Sequence, residues 1–233
     1  MRLDKFLAES SVGTRKTVRS YIKDCMVKVN GDLITEPAIE INESSDVIEY
    51  LGKVVAYTGK VYYMFNKPSG YITARKDAIN KTVFDFFDDV NINGVFHVGR
   101  LDKDTEGLLL FTNDGDLAKK LTHPKYGVRK LYHVGLDKAL SKNDMLAIAD
   151  GITLDDGPVS VDEIAYVNDD KKEIGIEIHS GQNRVVRRIF ESLGYEVEKL
   201  DRVVFANLTK KDLARGRWRL LEQHEINTLK MSL

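Results

Sequence analysis

Apolar residues along this chain recur with two different periods, and the points where the period changes outline the fold. Leu3, Phe6 and Leu7 open a helical period that Gly13 interrupts. Thr14 then caps a second helix with apolar positions at Val18, Tyr21 and Ile22. Residues 26–34 alternate as a hairpin around Asn30-Gly31, a dipeptide that supplies the positive φ values of a tight turn. Residues 52–60 mix polarity around glycines and read as a linker. Beyond them, residues 61–65 form a buried strand that ends in the turn Asn66-Lys67-Pro68-Ser69-Gly70. Residues 95–98 and 108–111 are short β-prone runs, and Asp116 caps a helix that runs to Leu121 before Pro124. Residues 130–134 alternate as a strand, and 173–179 do so more clearly, with Ile174, Ile176 and Ile178 on one face. Strands and helices interleave irregularly among many hairpin signals, so the fold class is α+β. The expected organisation is a small helix-helix-hairpin domain over residues 1–52 and a larger domain over 61–233. The larger one carries a mostly antiparallel mixed sheet flanked by helices.

A hydrophobic share of 42% in 233 residues is ample for a core. There is no apolar run of membrane-spanning length, and Met1-Arg2-Leu3-Asp4 leads into a charged amphipathic pattern rather than a signal peptide. The expectation is a cytoplasmic monomer without membrane attachment. The single Cys25, following a helical pattern, is expected to be a small buried hydrophobe. The net charge of −1 argues against nucleic acid until its distribution is considered. Residues 1–30 hold seven basic against three acidic residues, and residues 182–220 hold ten against five. On the second helix Arg15, Arg19 and Lys23 recur every fourth residue with Lys16 beside them, a basic stripe opposite the apolar one.

The densest chemistry lies in residues 99–107, where Asp102, Asp104 and Glu106 sit with Arg100 and Lys103 between two strand-like runs. A calcium loop fits its first half only, because Asn113 stands where the closing bidentate Glu belongs. An aspartyl-phosphate enzyme would need a separate metal-binding acidic cluster that does not stand out downstream. A plain solvated hairpin also fits the composition. A third stretch, residues 180–190, reads as a helix capped by Asn183 with apolar Val185, Val186, Ile189 and Phe190, and with Arg184, Arg187 and Arg188 projecting together. Three arginines at a helix start favour anion binding.

Taken in order, Gly99-Arg100-Leu101-Asp102, Lys130-Leu131-Tyr132 and the arginine helix from Asn183 to Phe190 resemble a pseudouridine synthase. The resemblance is to the ribosomal RNA branch with an N-terminal alpha-L RNA-binding module, and it covers essentially the whole chain. It implies that Asp102 is the catalytic aspartate, that Arg100 displaces and replaces a flipped uridine, that Tyr132 stacks on the uracil, and that Arg187 pairs with Asp102. Arg15, Lys16, Arg19, Lys23, Lys67, Arg184 and Arg188 would contact RNA. No cofactor and no metal are implied. The partner would be ribosomal RNA or a ribosome assembly intermediate. Residues 183–188 resemble members acting on the large subunit more than the small-subunit member.

The reaction's demands agree with these roles. A base inside a helix must be flipped out at a cost of a few kcal/mol, which an arginine filling the vacancy offsets in part. Burial raises the pKa of a carboxylic acid and a paired guanidinium lowers it, so the aspartate needs an arginine partner. Whether it acts as nucleophile or base stays open. The rivals are a non-catalytic RNA-binding assembly factor on the same scaffold and a glycosidase using Asp102 and Glu106, the latter leaving the basic surfaces without purpose.

Overall fold

Thr14 caps its helix as expected: its hydroxyl oxygen accepts the Thr17 amide at 3.2 Å, and the helix α2 (Arg15–Lys23) follows a shorter α1 (Leu3–Glu9). The computed structural model describes residues 1–231 and divides the chain into two units. The first comprises Met1–Tyr62 together with Phe87–Phe96 and Phe111–Gly115. Its strands are β1 (Val27–Val29), β2 (Asp32–Leu33), β3 (Ile48–Tyr50) and β4 (Lys53–Val54), in the order β2-β1-β3-β4. Asn30 and Gly31 take φ of +53° and +90° in the β1–β2 turn. Leu3, Phe6, Leu7, Val18, Ile22 and Ile48 close the core between helices and sheet.

Two expectations change here. Cys25 is exposed, because α2 ends at Lys23 and Cys25 takes a left-handed φ of +58° that turns it away from the core. Residues 52–60 are not a free linker: they begin as β4, and Tyr57 then stacks on Phe6 at 5.7 Å while its hydroxyl donates to Glu9 at 2.8 Å. Burial, with the Glu9 bond, pushes the Tyr57 phenol up to about 12. Asn113, buried, ties the same unit together by donating to the carbonyls of Glu9 and Gly59, both at 2.9 Å. Its own oxygen accepts the Val61 amide at 2.9 Å.

The second unit comprises Tyr63–Phe86, His97–Leu110 and Asp116–Leu233. Its strands include β5 (Tyr62–Lys67), β6 (Phe96–Val98), β7 (Glu106–Thr112) and β8 (Lys130–Leu136). A hairpin of β9 (Ile152–Leu154) and β10 (Gly157–Val159) precedes β11 (Glu163–Tyr166) and β12 (Glu173–Ile178). Last come β13 (Val197–Phe205), β14 (Leu208–Thr209) and β15 (Trp218–Leu220). The main sheet runs β11-β12-β8-β13-β7-β5-β15, with β14 on β13 and β6 on β7. Pairing is mostly antiparallel, but β13 and β7 run parallel at Asp201↔Glu106 and Arg202↔Gly107. Ile174, Ile176 and Ile178 are all buried, as the alternation requires.

Helices α3 (Gly115–Thr122), α4 (Lys142–Asp150), α5 (Val185–Glu191) and α6 (Gln223–Met231) flank the strands in sequence. No helix among the described residues is long and apolar enough to cross a membrane. The cap of α5 differs from expectation. Arg184, at φ +47° and ψ 29°, occupies the cap position, and no side chain caps the helix. A non-glycine residue in the left-handed region stores local strain, a condition that concentrates at functional sites.

Candidate active site

Gly107 sets the location. At φ +109° it lies beside Arg202, and a Cβ there would come within 2.3 Å of the Arg202 carbonyl oxygen and 2.5 Å of its amide nitrogen. Only glycine lets β7 approach β13 this closely, which brings the loop from Gly99 to Thr105 against β13 and β8. That loop is then pinned through its backbone. Thr73 Oγ1 donates to the Leu101 carbonyl at 2.6 Å, the Gly70 amide donates to the Lys103 carbonyl at 2.8 Å, and the Thr105 amide donates to the Asp102 carbonyl at 3.1 Å.

Lys67 completes the pinning. It is 0% exposed, and its Nζ donates to the carbonyls of Thr105 at 2.7 Å and of Pro68 and Asp102 at 3.0 Å. Burial pushes its ammonium down to about 8, against the pull of Asp104, Asp102 and Glu106. An RNA contact for Lys67 is therefore corrected: a side chain closed off from solvent on backbone carbonyls cannot reach a phosphate. Behind the loop, buried Asp201 accepts from Arg215 and Lys210, and Arg215 also pairs with Glu106 at 2.9 Å. Burial alone would raise the Asp201 carboxyl, but these bonds hold it below the usual range.

In front of the loop is a cavity of about 270 Å³. That is just under the roughly 300 Å³ at which pockets for drug-sized ligands begin, a size suited to one extruded base and not to a duplex. Asp102, its side chain 38% exposed, and Arg100 form one wall. Lys130 and Tyr132, two apart on β8 and so on one face, form another. Leu200 and Arg202 on β13 add a third. Phe205 reaches the same side because the register shifts between Arg202 and Val204, and the Arg202 guanidinium stacks over its ring at 4.5 Å. Arg202 is also fixed by donating from Nε to the Leu108 carbonyl at 2.8 Å.

The arginines of the α5 segment divide rather than act together. Arg184 reaches the loop, with Nη1 3.6 Å from Asp102 and 3.4 Å from Asp104. Arg187 is 5% exposed; it donates to the Val197 carbonyl at 2.7 Å and pairs with Asp104 at 3.2 Å. The expected Arg187–Asp102 pair is thus corrected to Arg184–Asp102, since a helix that starts at Val185 turns Arg187 into the buried face. Arg188 is taken up by Asp155 at 2.9 Å and Asp156 at 2.7 Å beside the β9–β10 hairpin, which corrects its expected role in holding RNA. Among the described residues no cluster of three or more His, Cys, Asp or Glu has an arrangement that could hold a metal ion.

The family model for RNA pseudouridylate synthases matches residues 61–192, which contain this loop, Tyr132 and the start of α5. This chain belongs to that family. It is 39% identical to the ribosomal large subunit pseudouridine synthase B of Bacillus subtilis, over 98% of this chain and 95% of the relative. It is 34% identical to the ribosomal small subunit pseudouridine synthase A of Vibrio vulnificus, over 98% and 99%. A crystal structure of a pseudouridylate synthase superposes with a TM-score of 0.69 at 32% identity, covering 98% of this chain and 99% of that one.

Within the synthase, Lys130 is a cavity residue to which sequence reasoning gave no role. Its Nζ donates to the carbonyls of Val128, His179 and Ser180 at 2.9 to 3.2 Å, and burial pushes it down to about 8. The signal was present: alternation along β8 puts position 130 on the face of Tyr132. In the first unit, Arg15, Lys16, Arg19 and Lys23 are all exposed on α2 and line a shallow groove with Ser20.

Proposed function

We propose that this synthase isomerises a uridine of large-subunit ribosomal RNA to pseudouridine, with Asp102 as the group that acts on the nucleotide. The observation that carries the reading is the cavity itself: a base-sized space with a carboxylate on a pinned loop facing a tyrosine on a rigid strand. The reaction breaks the bond between uracil N1 and ribose C1′ and joins C1′ to uracil C5. The C5 proton leaves to solvent and N1 gains one, so nothing else is exchanged and no redox partner is required.

The placement of each residue supports the part this reading gives it. Arg100, exposed at the cavity wall two residues from Asp102, fills the gap left by the extruded nucleotide. Tyr132 offers its ring to the uracil, a contact worth roughly 1–3 kcal/mol. Arg184 places a positive charge beside Asp102 as bonds to C1′ change. Lys67, Thr73 and Gly70 hold the loop so that the carboxylate needs no reorganisation during the step. The α2 face supplies phosphate contacts from Arg15, Lys16, Arg19 and Lys23, which position RNA without reading its bases. The protein acts as a cytoplasmic monomer.

The large subunit is favoured by the sequence at residues 183–188 and by the Bacillus relative's name. Incubating large- and small-subunit RNA transcripts with the protein and mapping pseudouridine in each tests this. One new position in large-subunit RNA is expected; a position only in small-subunit RNA reverses the assignment, and none in either contradicts the activity on naked RNA.

A further inference from the structure

Asp4 lies far along the chain from the catalytic loop, and its carboxylate is 0% exposed in the first unit. Three guanidinium groups converge on it. Arg2 donates from Nε at 3.2 Å and Nη2 at 3.1 Å, Arg15 from Nη2 at 3.0 Å, and Arg19 from Nε at 2.7 Å. These four bonds use the lone-pair sites that a carboxylate offers. Burial would raise the Asp4 carboxyl, but the bonds from Arg15, Arg19 and Arg2 hold it below its ordinary value. The arginines themselves are not buried: the side chains of Arg15 and Arg19 are 50% and 48% exposed and line the groove with Lys16 and Lys23.

An isolated acid would weaken a phosphate-binding face by cancelling charge. This one is beneath the face, and each guanidinium spends only one N–H of Arg15 or Arg19 on it while most of the fork stays outward. A long side chain otherwise loses rotamer freedom when it captures a phosphate. We propose that Asp4 is a positioning residue that clamps Arg15 and Arg19 into a preformed fork for RNA backbone phosphates. This rests on the reading that the α2 face docks RNA.

The two effects of removing the acid have opposite signs, which makes the test decisive. Asp4→Asn removes one negative charge from beneath the face, so charge alone predicts tighter RNA binding. Loss of the clamp predicts weaker binding. Turnover on a large-subunit RNA fragment would be measured for the full chain as wild type, Asp4→Asn, Arg15→Ala/Arg19→Ala, Lys16→Ala/Lys23→Ala, and Asp4→Asn in the Arg15→Ala/Arg19→Ala background. The expected result is a KM raised about five- to tenfold by Asp4→Asn with kcat unchanged, and no further rise in the arginine-free background. A lowered or unchanged KM overturns the proposal. So does an equal rise in the arginine-free background, which would mean that the substitution only loosens the unit. If both double variants keep the wild-type KM and salt dependence, the docking reading itself falls; if they raise KM while Asp4→Asn does not, only the clamp falls.

Discussion

Replacing Lys67 by Met separates two accounts of the same residue, one in which it touches RNA and one in which it staples the catalytic loop. Met fills the volume and removes the donor. The carbonyls of Thr105 and Pro68, bonded at 2.7 and 3.0 Å, lose this donor, whereas the Asp102 carbonyl keeps the Thr105 amide at 3.1 Å. An unsatisfied buried acceptor costs about 1–3 kcal/mol, so two cost about 2–6 kcal/mol. Removing a buried ammonium returns part of this: a fall from 10.5 to about 8 corresponds to about 3 kcal/mol. A net loss near 1 kcal/mol is expected, which for a chain of this length lowers Tm by about 2–4 °C. The loss also depends on pH with a definite sign. The folded chain releases the Lys67 proton near 8 while the unfolded chain keeps it to about 10.5, so wild type gains stability as pH rises across that window. That gain is complete above the window, is lost as pH falls through 8, and is absent from Lys67→Met. Urea unfolding of both proteins between pH 7 and 10.5 measures it, alongside RNA affinity against salt. The stability gap widens with pH and the salt slope stays at the wild-type value. A salt slope reduced by about 0.7–0.9, the signature of one lost phosphate contact, with unchanged stability would refute the staple.

Other consequences are sharper at single sites. Tyr132→Ala removes a stacking face worth about 1–3 kcal/mol and lowers kcat/KM by roughly 5- to 150-fold, while Tyr132→Phe stays near wild type; steady-state kinetics on an RNA fragment reads both, and an equal loss in the two would mean that the hydroxyl and not the ring matters. Asp201, held below the usual carboxylate range by Arg215 and Lys210 despite burial, contributes stability that is present above about pH 4 and lost as pH falls through its lowered value. Asp201→Asn therefore flattens the acid limb of the stability curve, and an unchanged limb would mean that the Arg215 network carries nothing.

Local patterns were readable where backbone chemistry decides the outcome. The Asn30-Gly31 turn, the Thr14 cap and the alternating isoleucines of β12 follow from residue type and spacing, and each stands as expected. The loop from Gly99 to Gly107 was also recognisable, because charge confined between two apolar runs has few structural uses. Partner choice was not readable. Lys67, Arg187 and Arg188 look alike as cations in sequence, but burial commits Lys67 to carbonyls, and the helix start at Val185 turns Arg187 inward and leaves Arg188 to Asp155 and Asp156. The cap at Arg184 explains why: a one-residue shift of a helix start reassigns every side chain near it. The ties that draw Asn113 to Glu9 and Gly59 join residues far apart in the chain, and no local period signals them. Asp4 escaped notice for a similar reason, since Arg15 and Arg19 meet it only after α1 and α2 pack.

The central claim is that Asp102 in this cavity drives uridine isomerisation. Tritium release from large-subunit RNA labelled at uracil C5 reports the reaction directly, because the C5 hydrogen leaves only when C1′ is rejoined there. Wild type is expected to release tritium while Asp102→Ala releases none and still binds the RNA. Equal release from the two proteins would contradict the account.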